Sequence, residues 1–240
     1  MNQQSPALID VFEPRAKSTA EVLEQMRLIE AALPTLDGVA WFNKMYMRVT
    51  ENVRGAMGEG FFNYPKFMDA LTISFSNLYF QAVYDNLHNP SRVPKAWAPL
   101  FEARLSRKIA PIQFALAGLN AHINRDLSVA LVSTCKKMKA NPDSKRRRDF
   151  DRVTDILEDT LDEVKRWFAT GFLADLDASF GRVDDVIAIF SIRKARDTAW
   201  MSGQAFWELR SIPSVALVQL QNIDRLVGLA GRGLLTPTGL

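Results

Sequence analysis

Pro111-Ile-Gln-Phe-Ala-Leu-Ala-Gly-Leu-Asn-Ala-His-Ile-Asn-Arg-Asp-Leu127 decides how this chain reads. The stretch has the apolar density of a buried helix, yet it carries Gln113, Asn120, His122, Asn124, Arg125 and Asp126. Each such group, buried without a partner, costs about 1–3 kcal/mol. A helix that keeps six of them must put them to use. At about 100° per residue, His122 and Asp126 share one face, a turn apart. Ala115, Gly118, Val129 and Ser133 fall on the same face, and these small residues are expected to leave room for a ligand. Gln113, Asn120 and Asn124 fall opposite, with Leu131. A surface helix has one polar side. Two opposed polar stripes predict a helix enclosed by other helices.

Working outward, start and stop signals divide the chain into helices. Ser18-Thr19-Ala20-Glu21 reads as a capping box, and Val22, Met26 and Ile29 continue at helical spacing to Leu33. Asp37 is a second N-cap, before Val39, Phe42, Tyr46, Val49 and Val53, with an end at the Gly55–Gly60 cluster. Pro65 opens a third helix to about Leu87, and a short one follows Pro94 through Trp97 to Arg104. Beyond the Asn-Pro-Asp turn at 141–143, Phe150, Val153, Leu157, Leu161 and Val164 mark an amphipathic helix ending near Gly171. A short segment to Phe180 follows. A long helix then runs from Val183 through Val186, Ile187, Phe190 and Trp200 to Trp207, and a last one covers Ser214 to Leu229.

No β-alternation, internal repeat or linker interrupts this pattern. The expectation is all-α: a single-domain bundle of about seven or eight helices around a central helix over about 111–135. A loose leader would occupy 1–17, the domain 18–230, and a frayed Gly-rich tail 231–240.

Composition bounds the partners. The 240 residues are 48% hydrophobic and 24% charged, enough for a large core without disulfides. The net charge of +3 is too weak to imply nucleic acid. The basic run from Lys136 to Arg148 flows into Asp149, Asp151 and Asp155 and lacks interleaved aromatics, so it reads as a solvated loop. One cysteine, Cys135, permits no intrachain disulfide. Met-Asn-Gln-Gln-Ser-Pro at the start has neither region of a signal peptide, and charges interrupt every apolar run. A cytoplasmic protein with no membrane and no nucleic-acid partner is expected.

His122 and Asp126 are the candidate catalytic pair. A carboxylate one turn away orients an imidazole, fixes its tautomer and suits it to acid–base work. Asn and Gln transfer no protons and suit bridging to backbone carbonyls of neighbouring helices. Asn43, Tyr46, Asn77, Tyr79 and Asn124 are the candidate substrate-binding residues, with Phe75 and Trp97 as further apolar lining. Two histidines, His88 and His122, cannot form a tri-histidine zinc site, so no metal is expected, and no motif implies an organic cofactor.

Leu36–Tyr46, Ser76–Phe80, Val93–Trp97 and Gln113–Leu127 resemble an uncharacterised bacterial helical family with an Asn-Ala-His-Ile-Asn-x-Asp-Leu signature. The resemblance covers roughly residues 30–170. It implies an all-helical fold and brings no activity. Its signature positions are Asn120, His122, Asn124 and Asp126, with Asn43 and Tyr46 in the upstream motif. The leading expectation is a small-molecule enzyme of acid–base type (lyase, isomerase, cyclase or hydrolase) on a largely apolar substrate. A non-catalytic ligand- or partner-binding module and a metal-dependent hydrolase are the alternatives.

Overall fold

A computed structural model describes residues 15–171 and 191–237. Local chemistry sets the first elements. Ser18 Oγ accepts from Glu21 N at 3.2 Å and starts α1 (Thr19–Ala32), while Glu21 reaches back to Lys17 N at 2.8 Å. Asp37 Oδ1 accepts from Val39 N at 2.8 Å and caps α2 (Gly38–Gly58), and its Oδ2 pairs with Arg104. Proline in the first turn, where no amide donor is needed, opens α3 (Pro65–His88) and α4 (Ala98–Ala103).

The central helix has three parts. α5 (Pro111–Ala121) is buried along its whole length. His122–Asp126 then forms a π turn, in which Leu127 N donates to His122 O five residues back. α6 (Leu127–Lys137) resumes the ordinary spacing. Around it stand α7 (Ser144–Gly171), α8 (Ile192–Glu208) and α9 (Pro213–Leu234). α5 packs on α2 and α9, and α6 on α8 and α3. The enclosed helix inferred from the two stripes is what the structure contains, and among the described residues there is no strand.

The expected segment to Phe180 and the helical start at Val183, Val186, Ile187 and Phe190 lie outside the described residues.

Two rings lock α2 to α5. A Cβ on Gly38 would stand 2.5 Å from Phe114 Cδ1, and one on Gly118 would stand 2.3 Å from Phe42 Cδ2. Each helix thus seats a ring in the other's glycine. Gly118 leaves no ligand space: Phe42, fully buried, fills it.

The Asn/Gln stripe faces α9. Asn120 Nδ2 donates to Val227 O at 2.9 Å, and Gln113 Nε2 donates to Leu234 O at 2.8 Å and Thr236 O at 2.9 Å. These bonds carry α9 past residue 230, where fraying was expected, because Gln113 satisfies carbonyls that a free helix end would leave to water. Gly228 lets α9 lie against the 95–96 backbone, for a Cβ there would meet Lys95 O at 2.4 Å.

Gly118→Ala is expected to cost about 1–3 kcal/mol through overpacking against Phe42. Asn120→Ala is expected to cost about 1–3 kcal/mol by removing its bond to Val227 O and the acceptor of Asn124 Nδ2. Urea melts of both variants against wild type check the two values.

Candidate functional site

Asp126 sits at the end of the π turn with 0% exposure. Its Oδ2 accepts from His122 Nδ1 at 3.1 Å and from Trp97 Nε1 at 2.9 Å. Its Oδ1 accepts from Arg125 Nη1 at 2.5 Å. Arg125 Nε lies 2.9 Å from Asp224 Oδ1 on α9, close enough for an ion pair though not aligned as a hydrogen bond. Asp224 in turn accepts from Lys95 N at 2.9 Å and Ala96 N at 3.1 Å. A buried carboxylate is stable only when its lone pairs are met and its charge is balanced. Here both conditions hold.

Burial raises the Asp126 carboxyl. The His122 hydrogen bond, the Arg125 charge and the Trp97 hydrogen bond together outweigh it and hold the group below its ordinary range. Asp126 is therefore ionised. Burial pulls His122 below its ordinary 6.5, and the attraction of Asp126 offsets this only in part. At neutral pH the imidazole is neutral, with its proton on Nδ1 toward the carboxylate. That leaves a lone pair on Nε2, which is buried and has no hydrogen-bond partner among the described residues.

Aromatic rings fix the imidazole. Phe75 stacks on it with centroids 3.5 Å apart and planes 7° from parallel, and Tyr46 meets it at 4.6 Å and 72°. Phe42, Tyr79 and Trp97 complete the ring cage at 5.7 to 6.2 Å.

His122 lines a mostly apolar cavity of about 60 Å³. Tyr46, Val49, Thr50 and Val53 of α2, Met68, Leu71, Thr72 and Phe75 of α3, and Val153 and Leu157 of α7 contribute its walls, with Arg196 of α8. Tyr46 Oη shares a 2.8 Å hydrogen bond with Ser76 Oγ, and burial raises its pKa.

The predicted residues divide. His122, Asp126 and Tyr46 converge. Asn43 holds α1, donating to Met26 O at 2.8 Å and accepting from Tyr79 Oη at 3.3 Å. Asn77 ties down Ala16, accepting from its amide at 2.8 Å and donating to its carbonyl at 2.9 Å. Asn124 donates to Asn120 Oδ1 at 3.0 Å, on the α9 side. None of Asn43, Asn77, Tyr79 and Asn124 lines the cavity; Phe75 does, while Trp97 instead holds Asp126.

Arg196 was missed. In Ile-Arg-Lys-Ala-Arg-Asp (192–197) it looks like one of several solvated charges. Packing of α8 against α7 buries it, and that packing has no local sequence signal. Among the described residues no group of three or more His, Cys, Asp or Glu stands together to hold a metal.

Residues 19–237 match the model of a family of unknown function, DUF5995, and the chain is a member of it. No curated protein and no solved structure matches the chain. The match runs through α8 and α9, well past residue 170, so it takes in the last helices. No described helix is long and apolar enough to cross a membrane.

His122 leaves a mark on stability. Its folded-state pKa lies below 6.5, so the unfolded chain binds the proton more readily. Stability from this group is complete above 6.5 and falls as pH drops through the lowered value. Asp126 acts in a separate window, since its stabilisation is lost only as pH falls below 3.8. Chemical denaturation between pH 4.5 and 7.5, ranges set by these two ordinary values, should show an acid-side loss that His122→Gln flattens.

Proposed function

We propose that the cavity is a small-molecule site in which His122 Nε2 acts as a general base toward a largely apolar substrate. One observation carries this reading: a neutral imidazole, its tautomer set by an ionised Asp126, presents an unpartnered buried nitrogen on a mostly apolar cavity. A structural histidine normally has both nitrogens satisfied. Here Asp126 is the positioning residue. It keeps the proton on Nδ1 and stabilises the imidazolium formed when Nε2 takes a proton. The rings hold the imidazole with its lone pair on the cavity, where it meets whatever donor or acidic C–H the substrate brings. Returning the proton from Nε2 to another carbon of the substrate gives isomerisation; passing it to a leaving group as that bond breaks gives elimination; taking it from a water that attacks an ester carbonyl, and passing it to the departing alkoxide, gives hydrolysis.

A binding module without turnover is the second reading. The Tyr46 hydroxyl favours it, being held by Ser76 and raised in pKa, which leaves the cavity without a strong second acid.

Small ketones and esters, followed by solvent-deuterium exchange and by hydrolysis, test the catalytic role. Turnover should rise with pH through a midpoint below 6.5 and then level off, because the neutral base is the active form. His122→Gln should lower turnover by about 10²-fold or more while the protein still folds. Asp126→Asn should lower it too and raise the population of the wrong tautomer, read from the imidazole ¹⁵N shifts. Full turnover in His122→Gln, together with a much lower melting temperature, overturns the catalytic role and leaves a structural histidine. Ligand binding at His122 without turnover supports the binding module.

A further inference from the structure

Arg196 is 4% exposed, and charged side chains are rarely so buried unless an opposite charge meets them. Its Nε donates to Thr154 Oγ1 at 3.0 Å and its Nη2 to Phe150 O at 2.7 Å. The guanidinium lies 4.1 Å from the centre of the Phe150 ring. Nη1 makes no hydrogen bond to a described residue, and no described carboxylate comes within ion-pair distance of the group. Asp151 and Asp197 act on it only at longer range, and both are engaged by Arg147. Burial lowers its pKa to about 9, so it is still a cation at neutral pH. This charge, unmatched among the described residues, lines the same cavity as His122.

We infer that the cavity takes a small monocarboxylate with an apolar body, its anionic end on Arg196 and its other end toward His122 Nε2. This rests on the reading of the cavity as a small-molecule site. Charge decides the valence. Arg196 supplies one positive charge and His122 none, so a monoanion is neutralised, while a dianion such as phosphate would leave a buried charge uncompensated. The walls decide the remainder: Val49, Val53, Met68, Leu71, Val153 and Leu157 match alkyl groups and offer an inorganic anion nothing. Volume decides the length. A water-sized group needs about 10–15 Å³ of such space. A cavity of about 60 Å³ by that measure has room for several such groups, so a short-chain carboxylate the size of propionate or butyrate fits.

The full chain is titrated with butyrate, the neutral isosteres butyramide and butanol, and inorganic phosphate. Thermal shift and the ¹⁵N resonances of His122 are followed. Butyrate should raise the melting temperature, move the His122 signals and bind about tenfold or more tighter than butyramide, as a charge-assisted hydrogen bond implies. Phosphate should do neither. Arg196→Gln should abolish the preference for butyrate over butyramide, and Arg196→Lys should keep part of it. If Arg196→Gln does not fold, the comparison of isosteres on the wild type decides alone. Equal binding of butyrate and butyramide, with His122 signals moved by both, overturns the anion site and leaves the small-molecule site standing. A preference that survives in Arg196→Gln places the anion elsewhere and overturns it as well. His122 signals unmoved by every ligand overturn both readings.

Discussion

The structure depends on one buried carboxylate. Asp126 has no solvent exposure, and it collects donors from three places: an imidazole one turn back, an indole from the 94–97 turn and the neighbouring guanidinium. Without it the His122 Nδ1 and Trp97 Nε1 donors would lose their acceptor, and Arg125 would keep only Asp224. The link continues through Arg125 to Asp224 and then to the amides of Lys95 and Ala96. One alternating chain of charges and dipoles thus runs from the cavity wall, through the central helix, to α9. Neutral replacement at Asp126 would leave Arg125 a half-buried cation with one partner fewer. It would also release the imidazole tautomer, so stability and chemistry are coupled at this atom.

The two faces of the central helix divide the labour. Asn120 and Gln113 bond carbonyls of α9 and hold it on α5. His122 meets the rings of α2 and α3 and closes one wall of the cavity, with Asp126 holding its far side. The same residues that attach the last helix therefore steady the helix that bears the histidine. The family match spanning 19–237 agrees with this, since α5 stripped of α9 would expose Asn120 and Gln113 partners that nothing else in the described fold supplies.

Much of this was legible in the sequence, for physical reasons that can be named. Helical periodicity is local, so the enclosed central helix, its stripes and the His122–Asp126 contact could be read from spacing alone. The caps at Ser18 and Asp37 are also local. What spacing does not hold is the identity of a partner across the core. Gly118 looked like space because its own side chain is absent, yet Phe42 comes from another helix to fill it. Asn43 and Asn77 looked free to meet a ligand, yet they tie down α1 and the strand of chain before it. Trp97 carried one weak signal: a buried indole N–H needs an acceptor. Arg196 carried none.

The π turn adds one residue to a turn of the central helix, and this has a consequence for its phase. An α-helix advances about 100° per residue, so the extra residue sets α6 out of step with α5 by about that angle. The faces that α5 shows to α2 and α9 do not continue along α6, which meets α3 and α8 instead. The turn thus works as a coupling between two differently clocked halves, with His122 and Asp126 at its two ends. A chain one residue shorter between them would be a smoother helix by hydrogen bonding alone. It would also swing every side chain from Leu127 onward away from the neighbour it now fits.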